Sequence, residues 1–107
     1  MKSSDAIKKA VDFYKSNGLT VIYRQAGVSP RLVAYDKKTD QVILIMVRRP
    51  RSKSYYTRQN GCRNAIGALV AWGEEWLKTH PQCVYVKLES IAVYESGEMD
   101  RIFHGSM

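Results

Sequence analysis

The sequence predicts an α/β (α+β) domain: a mixed central sheet flanked by helices, in the order α-β-β-β-α-β-β. Three observations carry this reading. Two segments repeat apolar residues at helical spacing, and five others read as short strands bounded by turn residues. Their order, a three-strand meander followed by a helix and more strands, makes a mixed sheet with helices on its faces. At 107 residues the chain is expected to form one domain, residues 1–107.

The first helix is expected over residues 4–17. Ile7, Ala10, Val11 and Tyr14 share one face, Ser3 or Ser4 is the expected cap, and Asn17-Gly18 is a stop signal. Residues 19–24 and 31–35 read as strands separated by a turn at 27–30. Asp36 to Asp40 is a polar hairpin loop whose two acids are turn residues. The aliphatic run 41–47 marks a central strand covered on both faces, and Pro50 ends it. After a polar loop, a long helix is expected over 58–79, with Ala65, Leu69, Trp72 and Trp76 on its apolar face. Gly61, Gly67 and Gly73 in this helix mark close packing against the sheet. Strands at 84–93, alternating in its first half, and 99–103 complete the chain, with a turn at 95–98.

Composition excludes several classes. Hydrophobic residues at 45% and charged residues at 25% argue for a globular chain rather than a disordered one. The longest apolar run, Val42 to Val47, falls far short of the roughly 20 residues that span a bilayer, so no membrane partner is expected. The N-terminal segment is amphipathic, not a secretion signal, and Cys62 and Cys83 do not make a disulfide scaffold, so a cytoplasmic setting is expected. Cys62, His80, Cys83 and His104 lack metal-ligand spacing, and no phosphate-cradling glycine motif is present. No cofactor, metal or catalytic residue is assigned.

Charge is the strongest functional signal. Seventeen Lys and Arg against ten Asp and Glu give a net charge of +7. Between Asp40 and Glu74 there is no acid, and this gap holds Arg48, Arg49, Arg51, Lys53, Arg58 and Arg63, with Tyr55 and Tyr56 among them. Guanidinium groups bind phosphate in a bidentate manner, and exposed aromatics stack on unpaired bases. Six phosphate contacts would produce a log–log salt slope of about −5. The plainer readings are a solvated basic face or a docking site for an acidic protein.

In its order of motifs the chain resembles the small endonucleases of the PD-(D/E)XK fold, related in fold to Holliday-junction resolvases. The residues that carry the resemblance are Gly18-Leu19-Thr20-Val21-Ile22 after the first helix, and Pro30-Arg31-Leu32-Val33-Ala34 beside the family's Glu-Ile-Asp-Leu-Ile-Ala strand. Ile45-Met46-Val47-Arg48-Arg49-Pro50-Arg51 stands beside its Val-Glu-Val-Lys-x-Arg strand. The helix 68–77, the strand 87–93 and the terminal Ile102-Phe103-His104 follow in the same order. The resemblance implies a restriction-endonuclease-like core and metal-dependent cleavage of DNA. The departures fall on that chemistry. The family's metal-binding Asp falls on Arg31, its metal-binding Glu on Met46, its catalytic Lys on Arg48, and the Glu of its first helix near Ile7, two residues from Asp5. Glu89 alone retains an acid at a matching position, and one carboxylate does not make the paired site that Mg²⁺ needs.

The expectation is therefore a degenerate nuclease fold that binds nucleic acid, DNA favoured, through Arg31, Arg48, Arg49, Arg51, Lys53, Tyr55, Tyr56, Arg58 and Arg63. Two alternatives remain. One is an active nuclease with carboxylates displaced to Asp5, Asp12, Asp36, Glu74 or Glu89. The other is a basic interaction module, including a homodimer through Gly61, Gly67, Gly73, Trp72 and Trp76.

Overall fold

The structure is a computed structural model that describes residues 2–50, 61–83 and 85–107, with side chains of the second block described from residue 66 onward. The first helix, α1, runs Ser3–Ser16. Its N-cap is Lys2, not the expected Ser3 or Ser4, and no side chain caps it. A serine caps only from the extended residue just outside the helix. Lys2 holds that extended backbone, and both serines lie inside the first turn. At the other end Gly18 takes φ +83, open to a residue without Cβ, and its N–H donates to the Lys15 carbonyl at 3.0 Å.

Five strands follow the predicted order: β1 (Thr20–Tyr23), β2 (Leu32–Asp36) and β3 (Gln41–Arg48), then β4 (Val86–Val93) and β5 (Met99–Ser106). The second helix, α2 (Gly61–Thr79), stands between β3 and β4. The sheet order is β1-β2-β3-β4-β5. Only β3 and β4 pair in parallel; the other neighbours are antiparallel. Parallel neighbours need a crossover connection, and α2 lies in it. The described residues thus form an α+β fold with a mixed five-stranded sheet. The predicted helix residues 58–60 lie outside the described residues.

Each helix seals one face. Under α1, Ala10 and Tyr14 pack with Leu32, Ala34, Ile43, Ile45 and Ile91. Under α2, Leu69 packs with Val33, Leu44, Val86 and Leu88, with Trp72 and Trp76 against them. Strand β3 therefore buries alternate residues on opposite faces, which is why its sequence is almost continuously aliphatic. Fully burying each such side chain stabilises by about 1.5–3 kcal/mol.

Two expectations hold in part. The expected alternation holds over residues 85–88 and stops at Glu89, which is as buried as its aliphatic neighbours because both faces are covered from there on. The glycines of α2 are unequal. A Cβ on Gly73 would meet the Met107 side chain and lie 3.3 Å from Leu88 Cδ2, so the expected close approach is real there. Gly67 is exposed with nothing within 4 Å. Gly73, Trp72 and Trp76 face the sheet rather than an outward surface. No described helix is long and apolar enough to cross a membrane.

Candidate functional site

A cleft of about 210 Å³ opens where β2 begins and β3 ends. The register brings this about. Leu32 pairs with Ile45, and the residues before and after them, Arg31 and Met46, both line the cleft. The Arg24 N–H donates to the Arg31 carbonyl at 2.6 Å, so the β1–β2 ladder fixes the backbone of Arg31. Arg49, Trp72, Ser3 and Ser29 contribute to the same lining, and no carboxylate is among the described residues that form it.

Arg31 is half-buried and held in one orientation. Its Nη2 donates to the Tyr23 hydroxyl, and its guanidinium carbon lies 4.9 Å from the centre of the Tyr23 ring. Its Nε is buried and has no hydrogen-bond partner among the described residues. Arg48 donates from Nη1 to the Met46 sulfur at 3.6 Å, a weak bond because a thioether is a poor acceptor. Of the nine residues expected to bind nucleic acid, the structure brings Arg31 and Arg49 into one cleft and sets Arg48 against its Met46 wall. Arg51, Lys53, Tyr55, Tyr56 and Arg58 lie outside the described residues, as does the side chain of Arg63 on the first turn of α2. The cleft residues Ser3, Ser29 and Trp72, and Tyr23 that orients Arg31, carry no sequence motif of their own.

The divalent-metal site that the resemblance implies does not fit this lining. Two guanidiniums and a thioether repel or ignore a hard cation that seeks oxygen ligands. Among the described residues, no group of three or more His, Cys, Asp or Glu is placed to hold a metal ion. The alternative carboxylates are dispersed. Asp5, Asp12 and Glu74 are exposed on the helices, and Asp36 accepts the Lys38 N–H at 3.0 Å in the β2–β3 turn. Asp40, at φ 54, accepts the Tyr35 hydroxyl in the same turn.

Glu89 belongs to a second, closed site. Only 3% exposed, it receives Arg101 Nε at 2.6 Å and Nη2 at 3.0 Å, and the Tyr14 hydroxyl at 3.1 Å. The Arg101 guanidinium lies 5.1 Å from the Tyr14 ring centre. Burial first, then the neighbouring Glu89 charge, push the Tyr14 phenol well above its ordinary pKa. The hydrogen bond to Glu89 raises the pKa of Arg101. An acid inside an otherwise apolar strand was the one sequence signal for this cluster. Its partners could not be read, since Tyr14 is 75 residues away.

Both histidines have structural neighbours. His104, on β5, sets Nε2 2.7 Å from Ser90 Oγ, and burial lowers its pKa. His80 closes α2 as expected, its N–H donating to the Trp76 carbonyl at 2.9 Å and its ring stacked 3.9 Å from Trp76. Cys83 is a free, half-buried thiol. No family model matches the chain, and neither a curated protein nor a solved structure does.

Proposed function

We propose that this chain is an endonuclease-like domain of the PD-(D/E)XK type that binds nucleic acid, DNA in preference, without cleaving it. The observation that carries the reading is the cleft. Arg31 and Met46 line it side by side, at the two positions where the resembled family holds its metal with an Asp and a Glu. A site that keeps its concavity but exchanges acids for a guanidinium and a thioether loses metal chemistry and gains affinity for phosphate. The element order and mixed sheet agree with the core that the resemblance implies. The net charge of +7 adds a long-range attraction for a polyanion.

The test is fluorescence anisotropy of a labelled branched DNA across a salt series without metal. The expected log–log slope is about −4 to −5, as several phosphates are neutralised together. Reversing Arg48, Arg49 and Arg51 to Glu is expected to abolish binding, and binding unchanged by that triple variant overturns the proposal. Cleavage on addition of Mg²⁺ or Mn²⁺ overturns the non-cleaving part alone.

A further inference from the structure

We infer that the Arg31 cleft and the apolar depression beside it form one site for the phosphorylated end of a nucleic-acid strand. This rests on the nucleic-acid reading above and names the feature recognised: a terminal phosphomonoester with its attached nucleoside.

Charge is the first argument. A terminal monoester carries a charge of about −1.5 to −2 at neutral pH and three free oxygens, whereas a backbone diester carries a single charge. Arg31 and Arg49 line the cleft, and the start of α1 joins them through Ser3. The Asp5 and Ala6 N–H groups donate to the Lys2 carbonyl, but no side chain caps the helix, which leaves the Ser3 and Ser4 N–H groups without an intrahelical acceptor, with the exposed Asp5 carboxylate in the same turn as the opposing charge. These N–H groups add a partial positive charge to the two formal ones.

The second argument is an unmade bond. The Arg31 Nε is buried without a partner among the described residues. Buried donors are ordinarily satisfied, and among the described residues this guanidinium donates only to the Tyr23 hydroxyl and meets no carboxylate, so its charge is left uncompensated beside the cleft it lines. The rest of the group is already oriented by the Tyr23 hydroxyl and ring, so little side-chain freedom is lost when an anion arrives.

The third argument is shape. A depression of about 300 Å³ lies alongside, lined by Ile7, Val11, Tyr23, Ser4 and Lys8. It shares Ile7 with the cleft, and the Arg31–Tyr23 contact bridges the two. Tyr23 is 51% exposed on the edge strand β1 and lines the depression, so a base would stack on the ring surface that Arg31 does not cover. A cationic cleft joined to one apolar, aromatic depression matches a phosphate with one nucleoside attached. An internal phosphate continues into a nucleoside on both sides.

The test uses the whole protein and one single-stranded oligonucleotide, labelled internally, in three forms: 5′-phosphate, 3′-phosphate, and hydroxyl at both ends. The expected result is that at least one phosphorylated form binds tenfold or more tightly than the hydroxyl form, and that inorganic phosphate removes this advantage. Arg31→Gln, and separately Tyr23→Leu, are expected to reduce the advantage to less than threefold while the protein remains folded, with an unfolding midpoint lowered by only a few degrees. Equal binding of all three forms overturns the end-recognition inference and leaves the broader binding reading standing. No binding of any form, even at low salt, removes both. A phosphate advantage that survives both substitutions places end recognition elsewhere and overturns the assignment to this cleft.

Discussion

Arg31 and Arg101 both lie over tyrosine rings, at 4.9 Å from Tyr23 and 5.1 Å from Tyr14, yet their surroundings differ in one decisive respect. Arg101 meets a buried carboxylate with two hydrogen bonds, and a tyrosine hydroxyl shares that carboxylate. Among the described residues Arg31 meets a tyrosine hydroxyl and no acid, and one of its nitrogens has no acceptor. The aromatic contact alone is worth about 0.5–1 kcal/mol at a partly exposed site. It orients a guanidinium and does not neutralise it. The closed ion pair holds β4 to β5 and to α1. The incomplete one stands at the mouth of a cleft.

The largest expected effect comes from opening the closed pair. Glu89→Ala should lower unfolding free energy by about 2–4 kcal/mol, because it strands Arg101 and the Tyr14 hydroxyl. The 35% exposure of the Arg101 side chain lets water recover part of the loss. Urea denaturation measures this, and a loss under about 1 kcal/mol would make the cluster incidental.

A smaller effect tests filled against open space within α2. Gly73→Ala should range from neutral to a cost of about 2 kcal/mol, since the new methyl must displace the Met107 side chain and crowd Leu88 against a helix-propensity gain of about 0.5–1 kcal/mol. Gly67→Ala, with nothing near it, should instead gain about 0.5–1 kcal/mol from helix propensity. Thermal unfolding of the two variants separates these cases.

The next effect appears with pH. Burial places the folded pKa of His104 below its ordinary 6.5, so the unfolded chain binds more protons between the two values. Facing charge from Glu89 opposes this only in part. Stability should therefore fall as pH drops from 6.5 through the lower folded value and level off beneath it. His104→Gln should flatten that limb. Tyr14 acts oppositely: its phenol is raised above 10.0, so stability should be lost as pH climbs past that value, and Tyr14→Phe should remove the loss.

The smallest effect on stability belongs to the incomplete arginine. Arg31→Gln should lower unfolding free energy by about 1 kcal/mol or less, the worth of its contact with Tyr23. It should nonetheless weaken DNA binding about tenfold and reduce the salt slope by about 1. A stability loss comparable to that of Glu89→Ala would mean that Arg31 is structural and that the two arginines do not differ in role.

Much of the architecture was readable along the chain. The helix over 3–16 was placed within one residue at each end, and β3 within one. The extension of β5 to Ser106 was not readable. It depends on a register shift between Leu88 and Glu89 in the neighbouring strand, which no property of residues 104–106 announces. The cap of α1 was misplaced because serine identity was weighed above the backbone conformation that capping requires. At the candidate site, Arg31, Arg48 and Arg49 were identifiable from charge and from the resemblance. Ser3, Ser29, Trp72 and Tyr23 were not, because each comes from a different segment.

Local chemistry set the elements. Apolar spacing, a glycine after α1, and an unbroken aliphatic run each act over about ten residues, within which backbone preference and side-chain burial already agree. Which side chains meet was left to the packed sheet. Register turns one residue toward α1 and the next toward α2, so whether an arginine finds a carboxylate depends on the strand beside it. Arg101 is twelve residues from Glu89 and reaches it across an antiparallel pair. Arg31 sits where its strand begins, opposite Met46, and finds none.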